Sequence, residues 1–496
     1  MASNANHQLH FLLLPFLAQG HLIPMIDIAR LLAQHGAIVT VVTTPVNAAR
    51  VRTVLFRAIQ SGLQIRLVEI QLPCQEAGLP DGCENFDLIP SFDLLFNFFK
   101  SIEMLQRPFE HLFKLQTPKP SCIISDMCYT WSVESANKLN VPRITFHGFG
   151  CFCLLCLHNT RISKVYENVT SDSEYFTVPD LPDEIALTRV QLPISIRDGM
   201  KDFGDRIIES DMKSYGVIVN TFEELESAYV KEYKKVRGGK VWCVGPVSFC
   251  NKESIDKAER GKKAAIDINE CLKWLDSWQH NSVLYVCLGS ISNLTFSQII
   301  ELGLGLEASK KPFIWVIREL GNTNNKSKEL EKWLLEESFE ERIKGRGLLV
   351  RGWAPQVMIL SHPSVGGFLT HCGWNSSLEG ISLGVQMLTW PLFADQFCNE
   401  KLIVQILRIG VRVGVEIPLI FGEEEKIGIL VKRERVEMAI NKLMDEGEER
   451  DERRRRAKEF GELAKRAIGK GGSSYLNMKN LIQDIIQQAN CANQLT

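Results

Sequence analysis

The chain has 496 residues, 45% of them hydrophobic and 23% charged, with 57 basic against 59 acidic residues and a formal net charge of −2. A chain of this length outgrows one hydrophobic core, so two large domains are expected. The near-neutral balance speaks against a general nucleic-acid or anionic-membrane binder.

No basic segment, apolar run and cleavage site open the chain, so no signal peptide is expected. No stretch of about 20 residues is continuously apolar, and stable membrane insertion is not expected either. The 14 cysteines are accordingly expected to be reduced thiols in a cytoplasmic protein.

In chain order, LHFLLLPF (Leu9–Phe16) reads as a buried strand. A helical pattern follows, with Met25, Ile26, Ala29, Leu32 and Ala33 on one face and Gly36 as C-cap. Ala37–Pro45 and Ile65–Leu72 are further strands, then Ser121–Met127, a helix, and Arg143–Gly148. Cys153, Cys156 and His158 in CFCLLCLH suggest metal ligands, but no second Cys/His pair follows at zinc spacing. An apolar helix or loop lining a core or pocket is the preferred reading of that cluster. Tyr215–Phe222 and Val241–Val247 complete this series. Strand and helix in alternation imply a parallel sheet covered by helices.

The texture then changes. Asn251–Asp267 is charged, with few large apolar residues, and reads as a linker. A second α/β series runs through Ser282–Ser290, Pro312–Arg318, Gly347–Trp353, Val365–Gly373 and Val385–Pro391. The polar stretch Glu319–Lys332 reads as a loop, DERRRRAKEF near the end as a solvated helix face, and Ser473–Gln488 as a capped helix. The expected domains are 1–250, a linker 251–270, a second domain 271–470, and a helix and tail 471–496 packing back on the first domain.

In open parallel sheets, ligands bind beyond the carboxyl ends of the strands. HCGWNSSLEG (His371–Gly380) directly follows one such strand. Gly373 allows a tight turn there, and Asn375, Ser376 and Ser377 suit the first turn of a helix, whose N-terminus attracts anions. His371 adds a donor, and Glu379 can accept from a sugar diol. GWAPQ (Gly352–Gln356) presents Trp353 as a flat plate for a nucleobase. PLFADQ (Pro391–Gln396) offers acceptors and an amide donor on Asp395 and Gln396 for sugar hydroxyls. Three adjacent strand ends thus present an aromatic plate, an anion cradle and a polyol reader, the three parts of a nucleotide sugar in order.

The stretch from Trp353 to Gln396, WAPQVMILSHPSVGGFLTHCGWNSSLEGISLGVQMLTWPLFADQ, closely resembles the signature box of plant secondary-product UDP-glycosyltransferases. PFLAQGHLIPMIDIARLLA and VLYVCLGS are also similar to that family, and the resemblance covers essentially the whole chain. It is most similar to a subgroup acting on flavonoids, phenylpropanoids, hormones and triterpenoids. The resemblance implies an α/β GT-B fold, two Rossmann-like domains facing across a cleft, the first binding the acceptor and the second UDP-sugar. It implies that Trp353 stacks on uracil, that the Ala354 backbone pairs with its edge, and that Gln356 and Glu379 hold the ribose. His371, Asn375, Ser376 and Ser290 would contact the diphosphate beside Gly373, while Trp374, Asp395 and Gln396 would read the sugar. Gln396 favours UDP-glucose, with UDP-galactose or UDP-glucuronate as alternatives.

Transfer to an alcohol needs a base. AQGHLIP places His21 in the loop between the first strand and the first helix. A neutral imidazole there can take the hydroxyl's proton, and Asp126, at the end of another strand, can orient and stabilise the imidazolium. Family analogy makes the same pair. His147 and His158 are expected to shape the acceptor pocket. Attack from the side opposite UDP inverts the anomeric centre and gives a β-glycoside. No Asp-x-Asp motif occurs in the donor region, so the diphosphate is expected to be held by the helix N-terminus rather than by a metal, and no cofactor is expected. The expected partners are a UDP-sugar and a lipophilic aglycone, the protein being a monomer.

Two other readings fare less well. A nicotinamide-dependent oxidoreductase needs G-x-G-x-x-G after the first strand, which PFLAQGHLIP lacks, and no P-loop motif occurs. A non-catalytic binder of an apolar molecule could use FDLLFNFFKSIEML and FHGFGCFCLLCLH as walls, and would bind acceptor without releasing UDP.

Overall fold

A computed structural model of the chain describes residues 8–196, 200–292, 294–318, 325–419 and 424–494. Two compact units form: one of Met1–Cys151, Asp198–Lys252 and Arg466–Thr496, the other of Phe152–Arg197 and Glu253–Lys465.

Along the chain the strands are β1 (His10–Leu14), β2 (Ile38–Thr43), β3 (Ile65–Glu69), β4 (Cys122–Asp126), β5 (Arg143–His147), β6 (Tyr175–Thr177), β7 (Ala186–Thr188), β8 (Gly216–Val219) and β9 (Val241–Cys243). They continue as β10 (Val283–Cys287), β11 (Phe313–Ile317), β12 (Gly347–Arg351), β13 (Val365–Thr370), β14 (Met387–Thr389) and β15 (Gly410–Arg412).

In the first unit seven strands form a parallel sheet in the order β3-β2-β1-β4-β5-β8-β9. The β-branched run of β2, IVTVVT, is buried throughout, as a strand covered on both faces must be. On one face the helix Gln19–Gln34 buries Leu22, Met25, Ile26, Ala29, Leu32 and Ala33. The C-terminal helix Ser473–Gln494 adds Met478, Leu481 and Ile485 to the same core. The opposite face packs Phe98, Phe109, Phe113 and Trp131 over β1 and β4.

In the second unit six strands form another parallel sheet, ordered β12-β11-β10-β13-β14-β15. Its core holds Phe313, Trp315, Phe339, Trp390 and Leu443. The antiparallel pair β6–β7 belongs here too. Tyr175 donates from its hydroxyl to Glu416 Oε2 at 2.7 Å, Gln191 Nε2 to the Glu416 carbonyl at 3.1 Å, and Gln405 Nε2 to the Glu184 carbonyl at 2.7 Å. These bonds join the β6–β7 segment to the rest of the second unit.

Several local expectations are corrected. His21 is not in a loop: the helix begins at Gln19, so His21 lies in its first turn, with Pro24 inside the helix. Proline is tolerated in a helix's first turn, where its missing N–H has no intrahelical partner, and Pro24 lies only just beyond it. Of the polar stretch expected as a loop, residues 319–324 lie outside the described residues, and the rest falls in the helix Asn325–Glu336. The charged linker contains a short helix, Ser254–Ala258. All fourteen cysteines are free thiols, and Cys151–Cys156 are buried positions of the helix Cys151–Ser163.

Candidate active site

β1 and β4 are parallel neighbours, so their carboxyl ends open at the same edge of the first sheet. Asp126 is the last residue of β4 and is fully buried. Its Oδ1 accepts from the Cys128 amide at 3.0 Å, and its Oδ2 lies 2.7 Å from His21 Nδ1. The carboxylate is thus fixed from its own loop and aimed at the imidazole. The His21 side chain keeps 20% of its surface exposed. Phe16 meets the ring edge-on, with centroids 5.3 Å apart. On another side a Cβ at position 148 would come within 3.0 Å of His21 Cε1, so Gly148 makes room for the ring. A carboxylate at Nδ1 selects the tautomer that protonates Nδ1, which makes Nε2 the basic atom.

His147 does not shape an open pocket. It is buried, with Nε2 3.2 Å from Asp211 Oδ2, and Arg237 lies 3.4 Å from the same oxygen. Burial alone would raise the Asp211 carboxyl, but His147, Arg237 and Arg143 together hold it well below the usual range. Arg143 also donates to the Asp126 carbonyl at 3.3 Å. Burial lowers that guanidinium to about 10. This cluster braces the end of β5 next to the His21–Asp126 pair. His158 sits half-buried on the helix Cys151–Ser163.

In the second unit the expected donor residues gather at the carboxyl edge of the sheet, but their strands are not all adjacent. β12, before Trp353, is separated from β13 by β11 and β10, whereas β13 and β14 are neighbours. β10 therefore sits in the middle and brings Ser290 to the same edge. The helix Gln356–Leu360 closes the distance. From its first residue, Gln356 Nε2 donates to Ser376 Oγ at 3.1 Å and to Glu379 Oε2 at 2.8 Å, and the Tyr285 hydroxyl of β10 lies 3.5 Å from Gln356 Oε1.

The helix Trp374–Ser382 carries Trp374, Asn375, Ser376 and Glu379, with Gly373 as its N-cap. The turn out of β13 is made differently from expectation. Cys372 takes the left-handed conformation, φ 65°, while Gly373 has φ −58°. Glycine serves at 373 by lacking a side chain: a Cβ there would lie 2.3 Å from His371 Nε2. Gly289, at φ +84°, flanks the same ring, where a Cβ would lie 2.6 Å from Cε1. His371 Nδ1 is buried without a hydrogen-bond partner, and burial lowers the imidazole to about 4. The ring is neutral at physiological pH and acts as a dipole rather than a cation.

Asp395 and Gln396 are buried, and part of their capacity is spent at home. Gln396 Oε1 accepts from the Leu392 and Phe393 amides at 2.7 and 3.1 Å, and Asp395 Oδ2 accepts from Asn399 Nδ2 at 2.6 Å. Of the acceptors and amide donor expected here, the Gln396 side chain therefore offers its amide N–H groups, its oxygen being used within its own loop. Trp353 Nε1 donates to the Arg260 carbonyl at 3.3 Å, and the Ala354 carbonyl accepts from the Gln356 amide at 2.8 Å. Arg260 also forms an ion pair with Glu379.

Arg260, Tyr285, Gly289, Gly148 and Asn399 were not expected at these sites. A glycine just past a strand end, opposite a histidine at another, is a signal that could have found Gly148 and Gly289. Nothing in the charged stretch around Arg260 distinguishes it from its neighbours. Among the described residues no cluster of three or more His, Cys, Asp or Glu side chains is arranged to hold a metal ion, and no helix is long and apolar enough to cross a membrane.

Two families match the sequence: "Glycosyltransferase, N-terminal domain" over residues 7–249 and "UDP-glucoronosyl and UDP-glucosyl transferase" over residues 259–416. A relative named UDP-glycosyltransferase 73C25, from Barbarea vulgaris, is 58% identical over 99% of this chain and 100% of its own. Among solved structures, Glycyrrhiza uralensis UGT73P12 complexed with glycyrrhetinic acid 3-O-monoglucuronide is similar with a TM-score of 0.88 and 38% identity, covering 98% of each chain. Medicago truncatula UGT71G1 complexed with UDP-glucose is similar with a TM-score of 0.77 and 26% identity, over 98% of this chain and 100% of that one.

Proposed function

The chain belongs to the plant UDP-glycosyltransferases, enzymes of GT-B fold with two Rossmann-like domains, and on that premise we propose that it moves glucose from UDP-glucose to a hydroxyl of a lipophilic plant small molecule, giving a β-O-glucoside. The observation that carries the chemistry is the His21 Nδ1–Asp126 Oδ2 contact of 2.7 Å at the carboxyl edge of the first sheet.

His21 takes the acceptor's proton at Nε2 as the oxygen attacks the anomeric carbon, and the buried Asp126 carboxylate stabilises the imidazolium that forms. Attack opposite the leaving group inverts the α-linked donor. In the second sheet Trp353 faces uracil and the Ala354 backbone its edge. Gln356 and Glu379 take the ribose; a carboxylate has roughly four lone-pair sites, so Glu379 can accept ribose hydroxyls beside Gln356 and Arg260. The leaving diphosphate is held by the first turn of Trp374–Ser382, by Asn375, Ser376 and Ser290, and by neutral His371, which Gly373 leaves room to approach. Trp374, Asp395 and the Gln396 amide N–H groups contact the sugar. The solved relative holding UDP-glucose supports this choice of donor.

The test is mass spectrometry of products from UDP-glucose, UDP-galactose and UDP-glucuronate against a panel of phenolic and terpenoid alcohols, with anomeric configuration read by NMR. A β-glucoside from UDP-glucose is expected. Aglycone binding without UDP release would instead support a non-catalytic carrier, and retained configuration would remove the mechanism.

A further inference from the structure

Glu379 lies on the helix Trp374–Ser382 and is buried. A buried carboxylate is costly unless it is paired and hydrogen-bonded. Its two oxygens are met from two directions: Oε2 by Gln356 Nε2 at 2.8 Å, and Oε1 by the Arg260 guanidinium. The Arg260 side chain is itself only 10% exposed. Its carbonyl accepts from Trp353 Nε1 at 3.3 Å, and the Trp353 carbonyl in turn accepts from the Ala265 amide at 2.8 Å. One residue of the segment joining the two α/β series therefore touches both the indole and the carboxylate.

We propose that Arg260 is a positioning residue for the donor nucleotide: it holds the Glu379 carboxylate aimed for the ribose diol while its carbonyl fixes the edge of the Trp353 indole, coupling recognition of base and sugar. The proposal rests on the reading that Trp353, Gln356 and Glu379 bind the nucleotide. An arginine suits this role because its guanidinium keeps its charge when buried and offers several fixed donors to a carboxylate. Replacing it by an apolar residue leaves the Glu379 side chain held by Gln356 alone, free to turn its other oxygen away from the ribose hydroxyls.

Calorimetric titration with UDP and with 2′,3′-dideoxyuridine diphosphate tests this on the full chain. Arg260→Ala is expected to weaken UDP binding about tenfold, the scale of one charge-assisted hydrogen bond, and to weaken the dideoxy analogue far less. Arg260→Lys recovers part of the loss, because it restores the cation without the fork. Arg260→Ala combined with Glu379→Gln binds UDP no more weakly than Glu379→Gln alone. If Arg260→Ala does not fold, Arg260→Met keeps the apolar stem and is expected to show the same tenfold loss. Unchanged or tighter UDP binding in the folded variant overturns the proposal, the latter making Arg260 an occupant that nucleotide must displace. Equal losses for UDP and the dideoxy analogue overturn it as well, since a general structural defect ignores the ribose hydroxyls. If Glu379→Gln alone leaves UDP affinity unchanged, the assignment of the ribose site fails first, and the role of Arg260 with it.

Discussion

Two histidines stand at matching places in the two sheets. His21 follows β1 and His371 follows β13, each a central strand of a parallel sheet, and each sits beside the start of a helix. His21 has a buried carboxylate 2.7 Å from Nδ1 and a glycine beside its ring. His371 has glycines at 289 and 373 around its ring, no partner at Nδ1, and an imidazole lowered by burial to about 4. On the reading proposed above, one gains a proton during the reaction and the other stays neutral. Residue type and topological place are shared; the presence or absence of one carboxylate separates the roles.

The comparison is broken most directly at His21. His21→Ala is expected to lower product formation by about 10³-fold, within the range for a lost general base, with UDP affinity close to that of the parent by calorimetry. Near-parental turnover would end the distinction. Asp126→Asn is expected to cost about 10²-fold in kcat, because an amide neither selects the Nδ1-protonated tautomer nor stabilises imidazolium; steady-state kinetics on the same acceptor decides it.

On the other histidine, Gly289→Ala places a Cβ 2.6 Å from His371 Cε1 at a φ of +84°. It is expected to raise the donor KM about tenfold, a little over 1 kcal/mol, while the acceptor KM moves little. A further effect is on stability rather than on turnover. His371 titrates near 6.5 when unfolded and about 4 when folded, so the unfolded chain binds the extra proton first as pH falls. Its contribution is complete above pH 6.5, is lost progressively between 6.5 and 4, and declines no further below that. Between pH 7 and pH 5 this amounts to about 2 kcal/mol. Urea unfolding at those two pH values is expected to show a drop smaller by that amount in His371→Asn than in the parent.

Much of the fold was legible because parallel strands buried on both faces must be continuous apolar runs, as in HFLLL and IVTVVT. The proposed donor residues stand out in the sequence because their types are unusual together: an indole, an imidazole, a carboxylate and an amide near strand ends. What spacing along the chain does not carry is the order of strands in space. Trp353 and His371 lie close in sequence, yet β11 and β10 stand between their strands. Nor does it carry how side chains divide their hydrogen bonds. Gln396 reads as both acceptor and donor, and only its position shows that its oxygen is taken by the Leu392 and Phe393 amides. Arg260 was invisible for the opposite reason, being one cation among several in a charged stretch, singled out only by Glu379 arriving from 119 residues away.

The first unit is completed by residues from far along the chain. Arg466–Thr496 returns to it, and Met478, Leu481 and Ile485 fill the face of its sheet beside the helix Gln19–Gln34. During synthesis on the ribosome the second unit has all its residues while the first still lacks part of its apolar cover, so the half that is translated first is the one that closes last. A stop codon just after Lys465 leaves the second sheet whole and opens a greasy trough on the first.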